Sequence, residues 1–338
     1  MVLRIETYNQ REAEARVRAS YPALRAFSPS GFNEAGFPSR ITDEAELMRY
    51  ADIMYETRSR TEWLTTKRYS PPEAAMMQQL SIQIENLTRR LFQKPVQPLM
   101  CLFAPIDLMR IVTHLAASVA RPLTVMEIGP GSGHLSAYLL NAGHRVIAVD
   151  ICQSLYLWQN RLFGDYALDE WASEEIAAFP RRSSNAQIVH IPWWHFARFH
   201  EGIPVAADIV ICDAALGEME HFGFRYVVEV AKNITKQSPI GCFLYQNLGE
   251  ERFQTRLFAE QYAATRGFRL QHVGGVSVLI GSDEFPMDAI AGLSEPPAIG
   301  KEALGNPAVM RSPQEFRSID ATKRLESYAF FDFIGLGQ

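Results

Sequence analysis

Apolar residues follow two different periods along this chain. Before about residue 100 they recur at helical spacing, and Ser70-Pro-Pro-Glu73 has the residues of a capping box at the start of one helix. Two helical stripes carry this pattern: Leu47, Tyr50, Ala51 and Met54, then Leu80, Ile84, Leu87 and Leu91. The pattern predicts a helical N-terminal extension over residues 1–100 that caps the rest of the chain.

From residue 101 onward, short apolar runs alternate with amphipathic helical segments, the first of which begins at Pro105. Predicted strands lie at 123–128, 145–150, 187–191, 207–212, 240–245, 268–273 and 276–280. This alternation is typical of an α/β fold with a parallel sheet. Only Gly274 and Gly275 separate the last two strands, which predicts a hairpin. We assign residues 101–285 to an α/β core.

Three further segments interrupt or follow this core. Residues 165–184 are rich in alanine and glutamate, which predicts an extra helix before the third strand. Prolines and glycines over about 282–314 predict an irregular excursion. The aromatic end, Tyr328–Ile334, is too apolar for a loose tail. We therefore expect residues 286–338 to pack on the core or on a partner subunit, as a docked tail or in a homodimer.

Composition narrows the class of protein. Hydrophobic residues make up 47% and charged residues 21% of the 338 residues, as in soluble globular proteins. No apolar run reaches the ~20 residues that cross a bilayer, and the N-terminus lacks a secretory hydrophobic core. A net charge of −5 gives no reason to expect nucleic acid as a partner. We predict a cytoplasmic protein with no membrane and no nucleic-acid partner.

The turn after the first predicted strand carries the clearest functional signal. Glu127-Ile-Gly-Pro-Gly-Ser-Gly133 lies between this strand and a predicted helix, and its glycines let the backbone approach a ligand closely. Asp150 ends the second strand, where its carboxylate can accept hydrogen bonds from two ribose hydroxyls. A plain strand-to-helix connection is the alternative. Together the two features indicate a nucleotide-cofactor site.

The spacing of the glycines distinguishes between nucleotide cofactors. A dinucleotide fingerprint needs a small residue five positions after its first glycine, and His134 stands there. No basic side chain follows in the loop to meet a pyrophosphate. The segment instead resembles motif I of the class I S-adenosylmethionine (SAM)-dependent methyltransferases. This resemblance implies a Rossmann-like, seven-stranded, mostly parallel sheet with a closing antiparallel hairpin, and SAM as cofactor.

A closer resemblance rests on three segments within about residues 123–250. Glu127–Gly133, Asp150–Tyr156 and Leu216–Met219 together are similar to the sugar O-methyltransferase group of that superfamily. Roles implied by the resemblance follow position by position. The residues around the methionine part of SAM would be Glu127, Gly129, Pro130, Gly131, Ser132 and Gly133.

The same resemblance implies the rest of the cofactor site. Asp150 would hold the ribose, with Ile151 and Ser154 in the next turn. Pro192 and Trp193 would cover the adenine. Asp213, followed by Ala214, would face the amino acid end of SAM or the acceptor. Asp150 and Asp213 have a structural alternative, since each can cap the helix that follows it.

An alcohol acceptor needs a general base, and histidine is the usual one. The candidates are His134, His195, His200 and His221. His221 is the first choice because it follows the fourth strand, where Glu218 or Glu220 can orient its ring, and His195 is the second; a surface histidine at the start of a helix is the alternative for His221. Asp213, Glu218 and Asn247 offer oxygen atoms to a magnesium ion, but their spacing is no recognised signature, so no metal is predicted.

The sequence thus predicts a SAM-dependent methyltransferase that moves a methyl group to an oxygen of a small molecule by in-line displacement. The resemblance points to a sugar or a glycosylated natural product as acceptor. A nitrogen or carboxylate acceptor is the alternative within the same chemistry. A catalytically inactive cofactor-binding or assembly protein and a dehydrogenase are alternatives from other classes.

Overall fold

The computed structural model describes residues 2–27, 39–52, 69–96, 98, 105–177, 185–213, 215–219, 221–246, 260–291 and 293. The chain forms two compact units. One contains residues 1–44 and 107–293, and the other contains residues 45–106. The first 44 residues thus group with the sheet, and the domain boundaries at residues 100 and 285 stay predictions. In the described part of the chain, no helix combines the length and the apolar character that crossing a bilayer requires.

Helices come before the first strand of the sheet along the chain, and they are divided between the two units. α1 (Ile5–Arg18) and α2 (Tyr21–Ala26) belong to the unit that contains the sheet, and a 3-10 helix spans Glu44–Ala51. α3 (Pro71–Phe92) lies in the other unit and begins with the predicted capping box. The side chain of Ser70 accepts from the Glu73 backbone N–H, and the Glu73 carboxylate accepts from the Ser70 N–H.

The predicted helical stripes are mostly buried. On α3, Leu80, Ile84 and Leu87 are buried, whereas Leu91, in the last turn of the helix, is 39% exposed. Met54, Cys101 and the aromatic end 328–334 lie outside the described residues. α4 (Ile106–Val119) then leads into the first strand.

The second half of the chain builds one sheet. Its strands are β1 (Thr124–Ile128), β2 (Arg145–Asp150), β3 (Leu168–Glu170), β4 (Ile188–Pro192), β5 (Ile209–Ile211), β6 (Cys242–Tyr245), β7 (Arg269–Val273) and β8 (Val276–Ile280). Between them lie α5 (His134–Asn141), α6 (Gln153–Leu162), α7 (Trp193–Phe196) and α8 (His221–Thr235), and α9 (Met287–Ala291) follows. The strand order is β3-β4-β2-β1-β5-β6-β8-β7.

The first six strands pair in parallel, β8 runs antiparallel to β6, and β7 pairs antiparallel with β8 at the edge, so β8 alone of the eight described strands runs in the opposite direction. The central strands are buried on both faces, as parallel sheets require. The chain moves outward from β1 to β2 and β4, then returns to β5 on the other side of β1. Such a switch point opens a crevice at the carboxyl ends of the strands, where ligands of α/β proteins bind.

Two sequence expectations about the sheet need correction. The described residues form eight strands rather than seven, because Leu168–Glu170 pairs in parallel with Ile188–His190 at the edge. The same strand replaces the helix predicted over 165–184, of which residues 178–184 lie outside the described part. The parallel α/β order is confirmed. The closing hairpin of β7 and β8 is confirmed as well.

Candidate functional site

The glycine-rich turn leaves β1 with three residues in the left-handed region. Gly129, Gly131 and Gly133 have φ values of 72°, 58° and 77°, a region that side chains with a Cβ seldom adopt. A Cβ on Gly129 would lie 2.6 Å from the Cβ of Ala215, whereas a Cβ on Gly131 would meet no atom within 4 Å. The backbone at Gly131 therefore faces open space, which gives a ligand room for close approach.

Two side chains of α6 hold the carbonyl groups of this turn. The indole N–H of Trp158 donates to the carbonyl of Ser132 at 3.0 Å. The amide of Gln159 donates to the carbonyl of Gly131 at 2.8 Å. Both side chains are completely buried. Gly133 is the N-cap residue of α5, and a Cβ on it would lie 3.1 Å from the side chain of Leu162. The turn is therefore fixed by the protein before any ligand binds.

Asp150 ends β2 and is buried beside the turn. Its Oδ1 accepts from the backbone N–H of Cys152 at 2.9 Å, and its Oδ2 accepts from the Gln159 amide at 2.6 Å. Burial raises the pKa of Asp150 to about 6, although these hydrogen bonds and the charge of His190 act in the opposite direction. The backbone N–H of Ile151 is a third donor to this carboxylate, so about one of its four lone pairs is left to accept from a ligand hydroxyl.

Glu127 lies one strand away, in the middle of the sheet. Its carboxyl group is buried and accepts from the hydroxyl of Ser136 on α5. Burial raises its pKa to about 8, and the charges of Asp213 and Asp150 raise it further, against the hydrogen bond from Ser136. Within the described part of the chain, neither Glu127 nor Asp150 forms an ion pair with lysine or arginine. Buried acidic groups therefore lie at the carboxyl ends of both β1 and β2.

The remaining predicted cofactor residues lie around the same edge. Asp213 follows β5 and is half-buried, and its charge acts on Glu127. Pro130, Ser132 and Ser154 are buried and Ile151 is half-buried. The backbone N–H of Ser154 donates to the carbonyl of Ser39 at 3.2 Å. Ala214 lies outside the described residues.

Trp193 makes a contact that the sequence did not predict. It follows β4, as expected for a wall of the adenine site, and Pro192 pairs with Asp150 in the sheet. The indole N–H of Trp193, however, donates to Glu12 of α1 at 3.2 Å, and the guanidinium of Arg16 lies 5.6 Å from the ring. At least one face and edge of Trp193 therefore serve to hold α1.

The predicted catalytic residues lie on two different segments. His195 is fully buried in α7, with its ring centroid 6.2 Å from that of Trp171 and 6.3 Å from that of Trp194. Burial lowers the pKa of His195 to about 4, so its ring is neutral at physiological pH. His221 begins α8, and Glu218 ends a 3-10 helix over Ala215–Glu218 that follows Asp213. The side chains of His221 and Glu218 lie outside the described part.

Several polar residues of this region had no role in the sequence prediction. They are Tyr8, Glu12, Ser136, Gln159, Glu170 and His190. His190 alone had a visible signal, because it is a polar residue within the apolar run Ile188–Pro192. Among the described residues, no group of three His, Cys, Asp or Glu side chains is arranged to hold a metal ion.

Comparison with known proteins gives distant similarity in structure only. No family model and no curated protein matches the sequence. A magnesium protoporphyrin IX methyltransferase from Synechocystis PCC 6803 with bound SAM has 14% identity and a TM-score of 0.39, covering 61% of this chain and 97% of its own.

Two further solved structures are similar at the same level. A TehB-like SAM-dependent methyltransferase from Corynebacterium glutamicum has 14% identity and a TM-score of 0.34, over 51% of this chain and 86% of its own. A methyltransferase from Pyrococcus furiosus has 12% identity and a TM-score of 0.35, over 61% and 98%.

Proposed function

We propose that this chain is a SAM-dependent methyltransferase whose cofactor binds at the carboxyl ends of β1 and β2. One observation carries the proposal: open space at Gly131 lies beside two buried carboxyl groups, Glu127 and Asp150, neither of which pairs with a lysine or arginine among the described residues. When bound, SAM supplies a methyl group activated by a sulfonium. Its positive charges suit an acidic edge of this kind.

The charges also separate SAM from the dinucleotides. A pyrophosphate placed at this turn would lie near Glu127 and Asp150, and its negative charge would make the ionisation of these buried carboxyl groups still less favourable. The sulfonium and the ammonium of SAM would instead lower the cost of ionising these carboxyl groups. Asp150 keeps a lone pair that can accept from a ribose hydroxyl while its bonds to Cys152, Gln159 and Ile151 stay in place.

We further propose an oxygen of a small molecule, in particular of a sugar or a glycosylated natural product, as the acceptor. The support is the resemblance of the segments at Glu127–Gly133, Asp150–Tyr156 and Leu216–Met219 to the sugar O-methyltransferase group. His221, oriented by Glu218, would remove the proton from the acceptor hydroxyl as the methyl group transfers in line. Its position at the start of α8, just beyond β5, suits this role.

Calorimetric titration tests the cofactor. The purified protein is titrated with SAM, S-adenosylhomocysteine (SAH), NAD and NADP, and the titrations are repeated on Asp150→Asn. We expect binding of SAM and SAH and none of NAD or NADP, with at least a tenfold weaker affinity in the variant, since a hydrogen bond to a charged group contributes about 1.5–3 kcal/mol. Selective binding of NAD, or no binding of SAM and SAH, would overturn the proposal.

Turnover tests the acceptor and the base. A set of sugars and glycosides is incubated with SAM carrying a labelled methyl group, and transfer is measured for the wild type and for His221→Ala. We expect O-methylated product and a 10²- to 10⁴-fold lower rate in the variant, the usual effect of losing a general base. Tight SAM binding with no turnover on any acceptor would instead support a catalytically inactive binding protein.

A further inference from the structure

The amide of Gln159 joins the two parts of the proposed cofactor site. Its Nε2 donates to Asp150 at 2.6 Å and to the carbonyl of Gly131 at 2.8 Å. Because the carbonyl of Gly131 can only accept, the atom of Gln159 that faces it must be the NH2 group. The other atom of the amide, the oxygen Oε1, therefore points away from the site.

This oxygen faces a histidine, and the hydrogen-bond logic continues there. Oε1 of Gln159 lies 3.1 Å from Nε2 of His190, so that ring nitrogen must carry a proton and donate it. The second ring nitrogen, Nδ1, lies 3.1 Å from Oε2 of Glu170. The state of the ring therefore depends on whether Glu170 is ionised.

The surroundings of Glu170 favour the ionised carboxylate. It accepts from the amide of Asn160 at 2.6 Å, from the backbone N–H of Ala172 at 2.8 Å and from the hydroxyl of Tyr156. Burial by itself would raise the pKa of Glu170, but the charge and the hydrogen bond of His190 and these other donors lower it. An ionised Glu170 needs a proton on Nδ1 of His190, which makes the ring an imidazolium.

The ring of His190 is placed to be stabilised as a cation. It is completely buried and stacks on the ring of Tyr156, with centroids 3.7 Å apart and an angle of 7° between the planes. An aromatic face attracts a cation at this distance. The ring of Phe163 lies nearly perpendicular to that of His190, with the two centroids 5.5 Å apart.

We infer that His190 is a positioning residue of the cofactor site: as an imidazolium held by Glu170, it orients the amide of Gln159 so that this amide clamps Asp150 to the glycine-rich turn. The inference rests on the function proposed above. Among the described residues, the charge of His190 acts on Asp150, and Asp150 in turn acts on Glu127 and Tyr8. His190 is the cation of this set, so its loss leaves Asp150 with the acidic groups Glu127 and Tyr8.

The variants remove the charge without removing bulk. His190→Gln replaces the ring by a neutral amide, and Glu170→Gln keeps the shape of Glu170 while it removes the anion that holds the proton. Ser238→Ala is the control, because it removes a hydrogen bond of 2.7 Å to Asp208 at the opposite edge of the sheet. Circular dichroism melting curves establish that each variant is folded.

The first readout is the affinity for SAH between pH 6 and pH 9. We expect His190→Gln and Glu170→Gln each to bind SAH about 10- to 100-fold more weakly than the wild type near pH 6.5. The loss should shrink toward pH 9, because the carboxyl group of Asp150 ionises there even without the cation. Ser238→Ala should bind like the wild type. A loss that is equal at every pH, or no loss, would overturn the inference.

The second readout needs no ligand. Nitrogen-15 NMR of the histidine rings in the ligand-free protein should show both nitrogens of His190 protonated at pH 7, with the resonance assigned by its disappearance in His190→Gln. One unprotonated nitrogen would overturn the inference even if SAH binds. Failure of the wild type to bind SAH would instead overturn the proposed function and with it the ligand role of His190, while the NMR result would still decide the charge of the ring.

Discussion

The indole N–H of Trp193 donates to the carboxylate of Glu12 at 3.2 Å, which ties α1 to the turn after β4. Glu12 is buried and also accepts from Arg16 and Arg40, so one carboxylate gathers three donors. The guanidinium of Arg16 lies 5.6 Å from the Trp193 ring. This cluster holds the first helix of the chain at the edge where the proposed cofactor site lies.

Replacement of this carboxylate should loosen α1. Glu12→Ala leaves the buried indole N–H without an acceptor, and we expect a loss of about 2 kcal/mol in the free energy of unfolding. Chemical denaturation measures it. Glu14→Ala on the same helix is the matched control, because Glu14 pairs with Arg11 at the surface and should cost less than about 0.5 kcal/mol. Equal losses in the two variants would contradict a special role for Glu12.

Because the space at Gly131 is open, substitutions at Gly131 and at Gly143 should have similar effects on stability but different effects on ligand binding. Gly131→Ala and Gly143→Ala both place a Cβ at positive φ where no atom lies within 4 Å, so each should lose about 1 kcal/mol of stability through backbone strain. Only the first lies in the proposed site. We expect SAH titrations to show at least tenfold weaker binding for Gly131→Ala and unchanged binding for Gly143→Ala. Equal affinities would place the ligand elsewhere.

Glu127 predicts an unusual dependence of stability on pH. Its pKa in the folded protein is about 8, above the usual 4.5, so the folded state favours the protonated form. The stability from this group is fully present below pH 4.5 and is lost as pH rises through 8. Glu127→Gln cannot ionise and should therefore gain on the wild type by on the order of a few kcal/mol between pH 5 and pH 8.

Chemical denaturation of the ligand-free proteins at three pH values across that window measures this difference. Parallel pH profiles of wild type and Glu127→Gln would show that Glu127 does not take up a proton on folding. In the wild type, SAM should also bind more tightly as pH rises through this window, since its cationic groups favour the ionised carboxyl group.

Asp208 lies at the amino end of β5, and the stability that it contributes should depend on pH in the opposite direction. It accepts from Arg121 through both oxygens, from the Thr124 backbone N–H and from Ser238, and its pKa is lowered although burial by itself would raise it. The stability that Asp208 contributes is present above the pKa of this group in the unfolded chain. It is lost as pH falls through the lower pKa of the group in the folded protein. Asp208→Asn should therefore cost about 2 kcal/mol at pH 7 and much less near pH 3.

Thermal and chemical unfolding of Asp208→Asn measures this cost, with Glu201→Gln as control. Glu201 pairs with Arg198, three residues earlier at the surface, so its replacement should change stability by less than about 0.5 kcal/mol. The affinity of Asp208→Asn for SAH should match that of the wild type, because β1 and β5 separate Asp208 from the carboxyl edge. A weaker affinity would contradict the proposed location of the site.

Removal of the hydroxyl group of Tyr8 should not lower the stability of the protein. Its OH is buried and has no hydrogen-bond partner among the described residues, while the centroid of its ring lies 5.0 Å from that of Trp194. Tyr8→Phe should leave stability unchanged or raise it by about 1 kcal/mol. Tyr226→Phe is the contrast, since that hydroxyl donates to Phe196 at 2.6 Å and accepts from Phe199 at 3.1 Å, and should lose about 1 kcal/mol. A destabilised Tyr8→Phe would reveal a partner for its hydroxyl.

The sequence by itself determined the features that depend on neighbouring residues. Apolar runs with flanking turns placed the strands, two glycines placed the hairpin of β7 and β8, and the glycines after β1 placed the turn. Each of these signals is local, because strand period, capping and positive φ are set within a few residues. The same local signals missed β3, whose three residues become a strand only by pairing with β4.

Only the tertiary structure decided which polar groups meet. Asp150 was visible at the end of an apolar strand, but Gln159, His190 and Glu170 stand on α6, β4 and β3 and come together only when these elements pack. Trp193 was predicted to face a ligand, and it bonds to Glu12, 181 residues away. Hydrogen bonds between distant segments depend on the three-dimensional arrangement of buried donors and acceptors, and no period along the chain records it.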